Sequence, residues 1–243
     1  MKARLKGKRV LWATLAVLLV LVAAGAAYVN DYYRAEPEAV EALAGSENVT
    51  VTEEEGLLIF APEETDAGFV FYPGGKVEYS AYAPLMVALA EENILCLVPQ
   101  MPANLAVLDV HAAQDLPQRY PEVARWYIGG HSLGGSMAAS HIAEDDRFAG
   151  LILLASYSTA DLSDSGRRVL SIYGTEDGVL NREKYREYHA NLPEDAVELV
   201  LYGGNHAGFG AYGHQEGDGE MSLGPGQQIT VTAETILEFM REG

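Results

Sequence analysis

The feature that most limits the fold of this chain is a change of rhythm near residue 79. Ahead of it lie three short apolar runs, Val49–Thr52, Leu57–Ala61 and Gly68–Tyr72, separated by turn-forming stretches at Glu54/Glu55 and Pro62–Asp66. Such runs read as strands joined by tight turns. Past residue 79 the period lengthens: Tyr79–Glu92 places Ala81, Leu85, Ala88 and Leu89 on one helical face. Ile94–Val98 is apolar without interruption, as expected of a strand covered on both faces. The alternation then continues, with a helical stretch near Asn104–Leu116, a strand at Trp126–Ile128 and a helix of small residues at Leu133–Glu144. Strands at Leu151–Leu154 and Val169–Tyr173, a polar helix Arg182–Asn191, a strand Val197–Tyr202 and a closing helix near Thr232–Arg241 follow. An antiparallel beginning followed by repeated strand–helix units predicts an α/β domain with a mostly parallel central sheet flanked by helices. In such sheets reactive groups gather at the carboxyl ends of the strands.

The first thirty residues stand apart from this pattern. Val10–Val29 carries no charge, and at about 1.5 Å rise per residue a helix of that length spans about 30 Å, the thickness of a bilayer core. Lys2, Arg4, Lys6, Lys8 and Arg9 precede it, which places the basic end in the cytoplasm and the rest of the chain outside. Residues 1–30 are therefore expected to be a basic N-terminus with one transmembrane anchor, giving a single-pass protein of the cell membrane. The rival is a secretory signal cleaved at Ala24-Gly25-Ala26 or Ala23-Ala24-Gly25, which would release the body. No cysteine lies directly after the run, so lipoprotein attachment there is excluded. Residues 31–46 read as a linker or short helix, and 47–243 as the α/β domain.

The formal charge is −19, and with the basic cluster confined to the first nine residues the remainder is more acidic still. That excludes a nucleic-acid partner, whose affinity rests on Lys and Arg neutralising phosphates. Cys96, the one cysteine, lies inside the apolar run ILCLV and reads as a small buried hydrophobe. It can form no intramolecular disulfide, and no clustered histidines or carboxylates suggest a metal, so neither metal nor cofactor is expected.

The strongest local signal is Gly130-His131-Ser132-Leu133-Gly134, a G-x-S-x-G set between a strand and a helix. A serine on a sharp strand-to-helix turn is pushed above the sheet, and the flanking glycines let strand and helix approach. The amide of Leu133 opens the helix, so its N–H and the positive helix end face a forming oxyanion. The competing reading, a serine that merely caps the helix, accounts for Ser132 but not for both glycines.

A nucleophilic serine needs a base, and the base an orienting carboxylate. Asp177 lies just past the strand ending at Tyr173, with Glu176 as its local competitor; Asp161 and Asp164 read as solvated loop residues. His206 follows the strand Val197–Tyr202 through Gly203-Gly204-Asn205, and His214 is the second choice. His131 is expected to support the site through a hydrogen bond, His189 to be exposed, and His111 and His141 to be helix surface or satisfied core. After the third strand comes Tyr72-Pro73-Gly74-Gly75-Lys76, where the amide of Gly75 or of Lys76 is placed to be a second oxyanion donor; an ordinary type II turn accounts for the same residues.

With YPGGK, GGHSLGG, YGTEDGV and GGNHAGFG each at its point in the strand order, the chain from Val49 onward resembles the alpha/beta-hydrolase superfamily. It is most similar to the compact fold-five branch related to dienelactone hydrolases. The resemblance implies a serine hydrolase of carboxylic esters or related acyl compounds, with a Ser132–His206–Asp177 triad and Gly75 and Leu133 as oxyanion donors. It departs at the nucleophile, where dienelactone hydrolases carry cysteine. Acyl transfer, peptide cleavage, or a surface binding role without turnover are the alternatives. Only Ser156–Arg168 separates the strand at Leu154 from the next, so no large lid is expected over a small-molecule acyl substrate, and the Gly-rich stretch 207–226 is expected to form a pocket wall.

Overall fold

The computed structural model describes residues 2–224 and 226–242, and for residues 2–11 and 13 the backbone alone. The chain divides into two compact units, the first ending at Tyr32 and the second beginning at Tyr33. The first is the helix α1 (Lys2–Asn30), whose described apolar side chains are exposed, Leu19 and Trp12 each by 70%. Among the described residues no helix is long and apolar enough to cross a membrane. The expected span Val10–Val29 begins where the side chains of α1 lie outside the described residues, as do those of the basic cluster before it.

The second unit is built on an eight-stranded sheet in the order β1-β2-β4-β3-β5-β6-β7-β8. The strands are β1 (Val49–Glu54), β2 (Leu57–Pro62), β3 (Ala67–Tyr72), β4 (Ile94–Pro99), β5 (Trp126–His131), β6 (Phe148–Leu154), β7 (Arg168–Gly174) and β8 (Val197–Leu201). β1 and β2 pair antiparallel, β2 joins β4 antiparallel, and every later pairing is parallel. The helices are α2 (Pro37–Ala42), α3 (Ala83–Ala90), α4 (Leu116–Arg119), α5 (Leu133–Ile142), α6 (Arg182–Tyr188) and α7 (Gln227–Arg241).

Strand alternation sorts the core into two layers. Phe69 and Phe71 of β3 join Leu85, Met86 and Leu89 of α3 and Ile236 and Phe239 of α7 on one face. Val70 and Tyr72 point the other way, toward Ala138, Ala139 and Ile142 of α5. Each fully buried Leu or Phe contributes roughly 1.5–3 kcal/mol. A one-residue slip of β3 would exchange the two sets, so the register is firmly specified.

Two expected helices differ from the sequence reading. The stretch Tyr79–Glu92 opens as a 3-10 turn, Tyr79–Tyr82, before α3. Pro84 has no N–H to bond Ser80, so α-helical bonding starts late. The stretch Asn104–Leu116 holds only short turns, Ala106–Leu108 among them, and the single turn of α4. There Ala103 and Asn104 take positive φ of 53° and 55°. In addition, the Tyr72 hydroxyl claims the Val110 carbonyl at 2.9 Å and the Ala113 amide at 2.8 Å, bonds that compete with a helix. Of residues 31–46, expected as a linker or short helix, those from Tyr33 on are docked on the body and include the short helix α2: Tyr33 bridges Val77, and Ala39 of α2 is wholly buried.

Candidate active site

Ser132, Asp177, His206 and Gly75 all lie just beyond the carboxyl ends of parallel strands, following β5, β7, β8 and β3 respectively. Ser132 is the residue between β5 and α5, with φ 52° and ψ −122°. This is a costly conformation for a residue bearing a Cβ. Its side chain makes no capping bond to α5, so the helix-cap reading fails. Packing holds the strain in place. A Cβ on Gly134 would sit 2.2 Å from the Tyr72 carbonyl oxygen, and one on Gly130 2.6 Å from the same atom. Only hydrogen at both positions lets β5, α5 and the end of β3 converge. Two hydroxyls tie the turn down further: Ser156 Oγ donates to the Ser132 carbonyl at 2.7 Å and Ser136 Oγ to the Tyr157 carbonyl at 2.8 Å.

His206 and Asp177 meet directly, Nδ1 to Oδ2 at 2.9 Å, with both side chains buried. The other carboxylate oxygen accepts the amides of Val179 at 2.9 Å and Leu180 at 2.7 Å. Burial pushes the Asp177 carboxyl up, but the bond to and charge of His206 and the two amides outweigh it and hold its pKa below the ordinary value. The ionised carboxylate only accepts, so Nδ1 of His206 is the donor, and in the neutral ring Nε2 keeps its lone pair. That Nε2 is buried and has no hydrogen-bond partner among the described residues. Glu176, the competitor for the acid, is exposed and accepts from its neighbour Thr175. His214 is exposed, as are Asp161 and Asp164.

His131 packs against His206 with ring centroids 4.4 Å apart. It is wholly buried, and desolvation together with its histidine neighbour drives its pKa well below the ordinary value, so it is neutral. The Tyr82 hydroxyl accepts the Gly74 amide at 3.0 Å and is hydrogen-bonded to Nδ1 of His131 at 2.8 Å. The backbone of His206 favours the charged form, but less than burial disfavours it. The supporting role expected of His131 thus reaches through Tyr82 to the loop after β3. In that loop the Lys76 amide is spent on the Asn104 carbonyl at 2.7 Å, whereas the Gly75 amide has no acceptor among the described residues. A Cβ on Gly75 would lie 3.1 Å from the Leu133 side chain, so the two expected oxyanion donors are neighbours.

A cavity of about 240 Å³ opens over Ser132, lined by Leu133, Ser136, Tyr157, Leu180 and Asn181 among others. The stretch between β6 and β7 contains no helix, so no lid arises there. The Gly-rich stretch 207–226 does not line this cavity, contrary to expectation. It lines a separate cleft of about 450 Å³ with Glu36, Asn205 and Gln228. The reason is its bonding: this loop folds under His206 rather than over Ser132, anchored by Asp218, whose carboxylate accepts the amides of His206 and Ala207. Sequence reading missed Tyr82, Ser156 and Asp218. Their roles depend on partners far along the chain, and no local spacing signals them.

A parallel sheet of this strand order, with a strained serine after β5 and an Asp–His pair on the loops after β7 and β8, defines the alpha/beta-hydrolase class. The alpha/beta hydrolase family model matches residues 68–230, and the chain belongs to that family. It is a hydrolase. No curated protein sequence matches. Solved structures with the same fold include a predicted CIB-like hydrolase of Thermoplasma acidophilum, 16% identical with TM-score 0.57, covering 78% of this chain and 99% of that one. Est1E of Butyrivibrio proteoclasticus is 15% identical with TM-score 0.56 over 81% of this chain and 98% of its own. An S-formylglutathione hydrolase of Agrobacterium tumefaciens is 13% identical with TM-score 0.55 over 80% and 94%.

Proposed function

We propose that the protein is a serine hydrolase of small carboxylic esters or related acyl compounds, with Ser132 as nucleophile, His206 as base and Asp177 as the acid that orients it. The observation that carries this reading is the buried Asp177–His206 bond, which leaves Nε2 of His206 without a partner, at the same carboxyl edge of the sheet as a strained, uncapped Ser132. In the reaction, Ser132 Oγ attacks the acyl carbon while its proton passes to Nε2 of His206. The C=O π pair moves onto oxygen, where the amides of Leu133 and Gly75 stabilise the charge. Asp177 fixes the tautomer and stabilises the imidazolium. His206 then returns the proton to the departing alcohol as the C–O bond breaks. Water then attacks the acyl carbon as its proton passes to the same nitrogen; the bond from that carbon to Ser132 Oγ breaks, His206 returns the proton to Oγ, and the acid leaves.

The small cavity and the absence of a helix between β6 and β7 favour short acyl groups. A series of p-nitrophenyl esters from acetate to decanoate, offered to the full chain, tests this. Turnover should be highest at two to about six acyl carbons (cavities of this size hold small ligands). A preference for decanoate would overturn the size argument, and no turnover of any ester would overturn the ester reading.

We also propose that the N-terminal segment holds this hydrolase at the outer side of the cell membrane. Support comes from the uncharged run Val10–Val29 behind its basic cluster. Carbonate extraction of membranes from cells making the full chain should leave the protein in the pellet. Recovery in the medium, with a new N-terminus near Ala26, would establish the cleaved form instead.

A further inference from the structure

Two loops must agree for the Asp177–His206 bond to form; they meet directly only short of the two residues, where the Glu176 amide bonds the Gly204 carbonyl at 2.8 Å and the Gly203 amide bonds Thr175 Oγ1 at 2.9 Å. Asp177 rides on the loop after β7 and His206 on the loop after β8. A third segment, arriving from the Gly-rich stretch, joins them. Oδ1 of Asp218 accepts the Gly178 amide at 3.1 Å, the His206 amide at 3.1 Å and the Gly219 amide at 2.9 Å. Oδ2 accepts the Ala207 amide at 2.8 Å. One carboxylate thus gathers the backbone next to the acid and the backbone of the base itself.

The approach is tight on both sides. A Cβ on Gly219 would lie 2.0 Å from the Glu176 carbonyl oxygen. The Asn205 side chain donates to the Gly219 carbonyl at 2.8 Å, closing the segment onto the base loop. Asn205 is in turn gripped by buried Gln228 of α7, which accepts its amide at 3.0 Å and donates to its carbonyl at 2.8 Å. Hydrogen bonds in which the acceptor is ionised are about twice as strong as neutral ones. Four converging on one group fix position better than any single contact between the loops.

We propose that Asp218 is a positioning residue: its carboxylate couples the acid loop to the base loop and so sets the His206–Asp177 geometry. This rests on the hydrolase reading above, and deepens it. Asp218 touches no reacting atom in this account; it acts through the backbone of His206 and Gly178. Misplacement of a catalytic group by about 1 Å costs on the order of a hundredfold in rate.

The test compares the full-length wild type with Asp218→Ala and Asp218→Asn. The first readout is the far-downfield proton NMR signal of the His206 Nδ1–H, assigned by its loss in His206→Ala. The second is the maximal rate and half-saturation concentration for phosphonylation by a fluorophosphonate, and melting temperature is followed alongside. Asp218→Ala should lose or broaden the downfield signal and slow maximal phosphonylation by at least about tenfold, with half-saturation little changed. Asp218→Asn keeps one acceptor oxygen for three of the four amides and should fall between, which keeps the test alive if the alanine variant does not fold. A variant that melts lower yet keeps the signal and the wild-type rate would reduce Asp218 to a stabiliser of its loop and overturn the proposal. Absence of the signal in the wild type would overturn it as well. If the wild type shows the signal but resists phosphonylation, the hydrolase reading fails, while the fate of the signal in the variants still decides whether Asp218 couples the loops.

Discussion

The turn that carries Ser132 and the loop that carries His206 reach the same site by opposite physical means. The serine turn is held by exclusion: Gly130 and Gly134 bring strand, helix and the end of β3 so close that no Cβ fits. The residues responsible lie within two positions of Ser132. The histidine loop is held by attraction, through side-chain carboxylate and amide groups from residues 218 and 228 that bind its backbone. The serine turn tolerates no added volume, and the histidine loop, close-packed at Gly208 and at its contact with Gly219, additionally cannot lose an acceptor. That contrast makes the two halves of the site separately breakable.

The largest effects should come from the reacting groups, where the contrast disappears. Ser132→Ala or His206→Ala should each lower kcat by at least about 10⁴-fold, measured by ester hydrolysis, with the fold and melting temperature retained. Asp177→Asn should fall by a comparable factor, since the amide turns a donor toward Nδ1 and favours the wrong tautomer. It should also blunt acid unfolding. The Asp177 carboxyl titrates below its ordinary value in the folded protein. Its stabilising contribution is therefore complete above about pH 4 and lost as pH falls through the depressed pKa. Acid titration followed by circular dichroism would show a shallower transition in the variant.

Next comes the exclusion side. Gly134→Ala places a methyl group against two backbone carbonyls, of Tyr72 and Pro73. It should cost about 3 kcal/mol or more in chemical denaturation. Near-native stability in that variant would break the comparison, because the serine turn would then not be held by packing.

Smaller effects should follow from the link between the halves. Tyr82→Phe removes the hydroxyl that accepts the Gly74 amide and bonds His131. The loss should be about 1–3 kcal/mol of stability, with a modest fall in kcat as the Gly75 loop loosens. The smallest concerns pH alone. His131 is neutral when folded because burial lowers its pKa, whereas the unfolded chain binds a proton there below about pH 6.5. The folded state is thus penalised progressively as pH falls below that value. His131→Gln should flatten the dependence of melting temperature on pH between about 6.5 and 5 relative to the wild type.

The same contrast explains what could be read from the sequence. The succession of strands and helices, the serine turn and the pairing of Asp177 with His206 rest on short spacings: G-x-S-x-G, TED after an apolar strand, GGNH after another. Each is local, and each lies where its strand ends. The helix expected over 104–116 failed because a side chain from β3, Tyr72, competes for its backbone, and no spacing within the segment reports that. The Gly-rich stretch read as a pocket wall since glycines and length were all it offered. Asp218 was one acidic residue among 35, and only the folded chain brings four amides to it.

The most direct test of the central claim is intact-mass spectrometry of the full chain after treatment with a fluorophosphonate, with peptide mapping of the adduct. Ser132→Ala and His206→Ala variants serve as controls. One adduct per chain is expected, on Ser132 and absent from both variants. A folded wild type that stays unlabelled, or an adduct on any other residue, would contradict that claim.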